Sequence, residues 1–154
     1  MIGLLQRVSK AWGEVAGQNI GEIGPGLLVL VGVEKGDTEV QADRLLERLL
    51  GYRVFADDED KMNLSVMDIS GSVLMVPQFT LAADTQKGLR PGFSNAASPE
   101  KGLALFTQLI DIMRVKGNLM QGDLPADWLQ TGQFGADMAV ELLNDGPVNF
   151  NLTM

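Results

Sequence analysis

The spacing of apolar positions changes along the chain, and each spacing predicts an element. Residues 2–16 alternate loosely between apolar and polar and predict a long strand. Gly17-Gln18-Asn19 turns the chain into a short strand from Ile20 to Ile23, and Gly24-Pro25-Gly26 turns it again. Leu27 to Val33 is the most apolar run, the pattern of a central strand. The period then lengthens. Ala42, Leu45, Leu46, Leu49 and Leu50 fall at i, i+3, i+4, i+7 and i+8, which predicts a helix with one buried stripe, capped by Asp37 and stopped by Gly51. Arg53 to Ala56 reads as a short strand.

The stretch Val73-Leu74-Met75-Val76-Pro77-Gln78-Phe79-Thr80-Leu81 begins as a strand buried on both faces and is broken by Pro77. Proline removes a backbone donor, so it belongs at a strand end, an edge or a bulge. An amide, an aromatic ring and a hydroxyl follow at once. Such groups at the end of a buried strand make a pocket floor; the same residues also read as a plain strand and turn. Residues 82–98 form a polar loop whose Lys87 and Arg90 either meet an anion or are simply solvated. Ser98 caps a second helix with Pro99 at its first position; Leu103, Phe106, Leu109, Ile110 and Met113 form its stripe, and Gly117 ends it.

Leu119-Met120-Gln121 reads as a strand, Leu124 to Trp128 as a loop, and Thr131 to Gly135 as a glycine-flanked turn. Ala136 to Leu143 alternates, with Met138, Val140 and Leu142 on one face, and reads as a strand broken by Gly146-Pro147 before a last strand, Val148 to Leu152. Two well-spaced helices among many strands predict an α+β fold, with both helices on one face of layered, mixed sheets. A chain of 154 residues suits one domain, residues 1–154.

Composition narrows the chemistry. The chain has no cysteine and no histidine. That excludes Ser-His-Asp and Cys-His machinery and zinc sites of the usual ligand types. Asp57-Asp58-Glu59-Asp60-Lys61 is the densest charge cluster, but counting from Asp58 puts Met62 and Asn63 where a calcium loop needs an acid or amide and then glycine. It reads as a solvated turn, and neither a metal nor a cofactor is expected. Gly24-Pro25-Gly26 precedes a strand, so it is not a phosphate cradle. A net charge of −8 argues against nucleic-acid binding, though a count says nothing of local patches. No run reaches the ~18 apolar residues of a membrane span. The first residues lack a basic region and long apolar core, so the cytoplasm is the expected compartment.

Pro77-Gln78-Phe79-Thr80-Leu81 resembles the Ser-Gln-Phe-Thr-Leu motif of D-aminoacyl-tRNA deacylases, and Asn144-Asp145-Gly146-Pro147-Val148 resembles their second motif, which carries a Gly-cisPro dipeptide. Leu5-Gln6-Arg7-Val8, the segments 24–30 and 61–66, and Thr131 to Met138 match in the same order, so the likeness covers essentially the whole chain. It implies a layered β-β-α sandwich and a metal-free homodimer with its active site at the subunit interface. It implies cleavage of the ester between a D-amino acid, or glycine, and the 3′-terminal adenosine of tRNA. It assigns catalysis to Gln78, Phe79 and Thr80, and substrate binding with chiral selection to Phe134, Gly135, Met138, Gly146 and Pro147. In that picture Gly146-Pro147 reaches into the partner's pocket and crowds the Cβ of an L-residue. Three positions depart from the family: Pro77 stands for Ser, Asn149 for a common Thr, and Gly92 for a frequent Ser.

The residues present can support that chemistry. The ester is activated and its neighbour is a ribose hydroxyl, so positioning and preorganised backbone donors are enough. The turn after Pro77 offers the Phe79 and Thr80 N–H groups for a developing oxyanion. Thr80 as nucleophile is the rival, but the sequence nominates no base to activate it. A non-catalytic binder of D-amino acids or of the tRNA acceptor end is the reading from another class.

Overall fold

The computed structural model describes residues 1–86, 88–119 and 124–154. In chain order it runs β1 (Ile2–Val15), β2 (Gln18–Ile23), β3 (Gly26–Gly32), α1 (Glu39–Gly51), β4 (Phe55–Ala56), β5 (Met62–Leu64), β6 (Ser72–Pro77), a 3-10 turn (Phe79–Ala82), α2 (Pro99–Leu119), β7 (Leu129–Thr131) and β8 (Met138–Thr153). The α+β expectation holds.

One edge of β1 pairs with β3 along Ile2 to Val8 and with β2 along Ala11 to Val15; its other edge carries β8. β3, β6 and β7 are mutually parallel, so the sheet is mixed. Its middle strands read as unbroken apolar runs because both faces are covered. Leu27, Val29 and Val31 of β3 and Val73 and Met75 of β6 face a core shared with α1 and α2. The alternate residues Leu28, Leu74 and Val76 join Val8, Ala11 and Ile23 in a second core, against which Met138, Val140 and Leu142 pack. One core lies between sheet and helices and the other on the far side of the same strands.

The α1 stripe is buried as its spacing predicts: Ala42, Leu45, Leu46, Leu49 and Leu50. The cap differs. Thr38 accepts the Val40 N–H, and Gln41 bonds back to the Thr38 N–H, a capping box. Asp37 is buried instead, taking the Met1 α-ammonium and the Glu34 N–H. A cap is worth about 1 kcal/mol, whereas each buried leucine contributes roughly 1.5–3 kcal/mol, so α1 owes its place to packing.

Four further expectations are corrected. Gly117 lies inside α2, where a Cβ would stand 2.1 Å from the Trp128 ring; it lets that ring lie on the helix. Leu103 is largely exposed, and Leu105 takes its place in the stripe with Phe106, Leu109, Ile110 and Met113. Leu119 closes α2 rather than opening a strand, and Met120 and Gln121 lie outside the described residues. The turn expected from Thr131 begins one residue later, because Leu129 to Thr131 pair with β6 as β7. The acidic cluster is a turn: Asp57 accepts the N–H groups of Lys61 and Glu59 and the Asn63 amide, and these bonds, the Lys61 N–H first, hold its carboxyl below the usual range. Among the described residues no group of three or more acidic side chains is placed to hold a metal, and no helix is long and apolar enough to cross a membrane.

The parallel contact between β3 and β6 begins at Gly26, where a Cβ would stand 1.9 Å from the Ser72 carbonyl oxygen. A backbone atom cannot step aside. Gly26→Ala is expected to lower stability by roughly 2–3 kcal/mol, read from the urea midpoint. Gly24→Ala, where the added carbon meets nothing within 4 Å, should stay near the native midpoint. Equal midpoints for the two variants would contradict this packing.

Candidate functional site

β6 ends where its sequence forces it to. Pro77 still pairs with Val31, but the next ladder bond comes from the Gln78 N–H, which donates to the Val31 carbonyl at 2.7 Å. The chain then winds into the 3-10 turn. Gly32 makes room for it: a Cβ there would lie 2.8 Å from the Leu81 Cβ and 3.2 Å from the Gln78 carbonyl oxygen. The opening N–H groups of a helical turn have no partner within the turn. Among the described residues neither the Phe79 nor the Thr80 N–H donates to another protein group, while the Leu81 N–H returns to Gln78 and the Ala83 N–H to Thr80.

A cavity of about 380 Å³ opens beside this turn. Pro77, Gln78 and Phe79 form one side, Phe134 and Gly135 another, and the first turn of α2 the back. Gly102 shapes that back wall, since a Cβ there would lie 3.2 Å from the Phe134 Cζ. Phe93 meets Phe79 with ring centroids 5.2 Å apart, and both rings are exposed. Phe93 is held by the neck of its loop, where Asp84 and Gly92 exchange N–H···O bonds of 2.7 and 3.0 Å. The described residues lining the cavity include no ionisable side chain, and its polar side chains are Gln78 and Ser98.

The structure brings Gln78, Phe79, Phe134 and Gly135 together on one cavity. Thr80 sits just outside the lining, exposed, with its hydroxyl accepting from the Gln78 Nε2 at 2.6 Å. Met138 supports the floor from behind: its sulfur lies 3.3 Å from the Gln133 nitrogen and packs by Gly132 beside Pro77. Phe93, Ala96, Pro99 and Gly102 were not singled out in the sequence. The glycine inside a helical pattern was the available signal, since it marks a close approach.

Gly146 and Pro147 do not line this chain's cavity. Nor do they break the strand, as the sequence suggested. β8 runs through them because it bulges: Asn149 pairs with Gln6 and Asn144 with Val8, so residues 145–148 oppose Arg7 alone. The Gly146-Pro147 peptide bond is cis, and both residues are exposed. Two side chains hold the bulge. Asn144 accepts the Val148 N–H at 3.1 Å and donates to Asn149 at 2.7 Å. The Arg7 Nε donates to the Asp145 carbonyl at 3.1 Å and pairs with its carboxylate at 3.0 Å, while Nη1 donates to the Val54 carbonyl. Arg7 thus staples the projecting tip to the strand below.

Comparison with known proteins places these features in a group. Residues 4–153 match the family described as D-Tyr-tRNA(Tyr) deacylase. A protein of Alkalilimnicola ehrlichii named D-aminoacyl-tRNA deacylase is 55% identical over 150 residues, covering 97% of this chain and 94% of that one. One of the same name from Alteromonas mediterranea is 50% identical over all of both chains. A solved structure named c-Myc DNA unwinding element binding protein is similar at TM-score 0.91 and 33% identity, covering 100% of this chain and 99% of the other. A probable eukaryotic D-amino acid tRNA deacylase, at TM-score 0.80 and 19% identity over 98% of each chain, shares the fold.

Replacing Arg7 by methionine keeps its bulk and removes its donors. The expected cost is about 1.5–3 kcal/mol, the scale of bonds made by a charged group, together with faster hydrogen exchange across 144–149. Unchanged exchange there would show that the bulge does not depend on Arg7.

Proposed function

The chain belongs to the D-Tyr-tRNA(Tyr) deacylase family, and on that premise we propose how it acts as a D-aminoacyl-tRNA deacylase: with backbone donors, and without an ionisable catalytic side chain. The observation that carries this is the pair of N–H groups, Phe79 and Thr80, that have no protein partner among the described residues, at the edge of a cavity that no ionisable side chain of those residues lines. The ester carbonyl accepts from these donors. Water, positioned with the neighbouring ribose hydroxyl of the substrate, adds its oxygen to the carbonyl carbon. The bond from that carbon to the ribose oxygen breaks, and that oxygen leaves with a proton. Negative charge grows on the carbonyl oxygen, where preorganised donors are worth about 10²–10³ in rate.

The position of Thr80 supports an orienting role. Its hydroxyl oxygen accepts the Gln78 side-chain N–H, and that partner is not a base. Thr80→Ala should cost about 1–2 kcal/mol, one hydrogen bond, or roughly 5–30-fold in kcat/KM. A drop of about 10⁴ or more would instead make Thr80 the nucleophile.

Chiral selection is assigned to the Gly146-Pro147 tip of a second copy of the chain. This rests on the likeness of residues 144–148 to the family's second motif. The tip's exposure and its absence from its own chain's cavity are consistent with that role. Backbone atoms that crowd the Cβ of an L-residue reject it by shape and leave D-residues and glycine free to react. The protein acts as a homodimer in this reading, and a monomer by light scattering at micromolar concentration that kept full activity would contradict it. Matched tRNAs should lose D-aminoacyl and glycyl groups and keep L-aminoacyl groups. Comparable cleavage of the L-ester would overturn the filter.

The relative named for DNA binding favours a second reading, a non-catalytic binder of the nucleic-acid end. Turnover separates the two: a binder protects the D-ester, and the enzyme releases many equivalents of amino acid per protein.

A further inference from the structure

Among the described residues no ionisable side chain lines the cavity, yet the nucleoside that enters it is attached to a phosphodiester chain. That chain must leave past the rim, where two cations stand on one junction. Glu34 bridges to Ala96, the Lys35 N–H donates to the Asn95 carbonyl at 2.9 Å, and the Ala97 N–H donates to the Val33 carbonyl at 3.0 Å. The loop after β3 is thereby sewn to the cavity-lining segment 96–98. Lys101, in the first turn of α2, donates from Nζ to the Lys35 carbonyl at 2.6 Å. The Lys101 ammonium is thus ordered in advance, with two donors left over. Its neighbours Ser98, Pro99 and Gly102 all line the cavity.

Neither lysine has a carboxylate within ion-pair distance among the described residues, whereas Lys10, Lys61 and Lys116 each do. Glu34 shares the Met1 ammonium with the buried Asp37, and Glu100, beside Lys101 in the sequence, makes no ion pair among the described residues. Lys35 and Lys101 are thus two cations on one junction of the cavity wall that have no carboxylate partner among the described residues and can take an anion from outside the chain.

We propose that Lys35 and Lys101 form a phosphate-binding rim that holds the backbone of the tRNA 3′ end as its terminal adenosine enters the cavity. This rests on the deacylase reading above. The rim holds phosphodiester and takes no part in the ester chemistry. It also accounts for how an acidic protein engages a polyanion: contact is confined to the last nucleotides, and the acidic remainder faces away from the body of the tRNA.

The test compares two substrates that differ in phosphate alone: D-aminoacyl-tRNA and the same D-amino acid esterified to adenosine. Lys35→Gln leaves the carbonyl that receives Lys101 in place, so it keeps the junction intact; Lys101→Gln and Lys101→Arg complete the set. Each glutamine variant should lose roughly tenfold in kcat/KM on the tRNA, mostly in KM, with a salt dependence shallower by about 0.7 in log–log slope. Its rate on the adenosine ester should be unchanged, and Lys101→Arg should recover most of the loss. Equal loss on both substrates makes the lysines structural and overturns the proposal, as does an unchanged KM and salt slope on the tRNA. Binding of uncharged tRNA is measured alongside. A native protein that cleaves neither ester, with Lys35→Gln still weakening tRNA binding, would overturn the deacylase reading and support the rim. Millimolar inorganic phosphate should leave cleavage of the adenosine ester untouched; inhibition of that reaction would place the anion site in the cavity and contradict the rim.

Discussion

Everything at the site depends on the parallel pairing of β3 with β6. It starts at a contact only glycine allows, Gly26 on the Ser72 carbonyl, and ends where Pro77 has no N–H to give. Between those points both faces of both strands are buried, so the register cannot slip by one residue without moving apolar side chains into the wrong core. The end of the ladder is therefore fixed in space. The 3-10 turn that follows rests on Gly32, and its first residue, Phe79, lines the cavity. The proposed chemistry uses donors whose position does not depend on a flexible side chain, and main-chain N–H groups at the end of this ladder are of that kind.

The site is built from pieces with different kinds of support. The floor belongs to the core and inherits its rigidity. The back wall is the first turn of a long helix, brought close by Gly102. The Gly146-Pro147 tip is a bulge held by Arg7 and Asn144, and it projects from its own chain. An apolar cavity with backbone donors selects no hand by itself. On the proposed reading, discrimination comes from the projecting tip of a second copy of the chain.

The sequence made much of this legible, and its failures are long-range. The α1 stripe and the Pro77 break follow from period and from proline's chemistry, which are local. Sequence does not decide the α1 cap because Asp37 and Thr38 are both good caps, and what removes Asp37 is the Met1 ammonium, 36 residues away in sequence. Gly117 looked like a stop signal because Trp128, which needs the space, is distant in sequence. Gly146-Pro147 looked like a strand break because nothing nearby says that Arg7 will hold four residues against one. Within the site, Gln78, Phe79, Phe134 and Gly135 were found through motif likeness, whereas Phe93 and Gly102 emerge only once the loop and helix meet the floor.

The central claim is that main-chain N–H groups bind the reacting carbonyl. A stable analogue with an amide in place of the ester, a D-aminoacyl group on 3′-amino-adenosine, allows a direct look by ¹⁵N-resolved NMR. The account predicts that the Phe79 and Thr80 amide protons move downfield on binding and become protected from exchange, and that they do so equally in Thr80→Ser. Saturating analogue with both amides unmoved, or protection confined to side-chain groups, would contradict it.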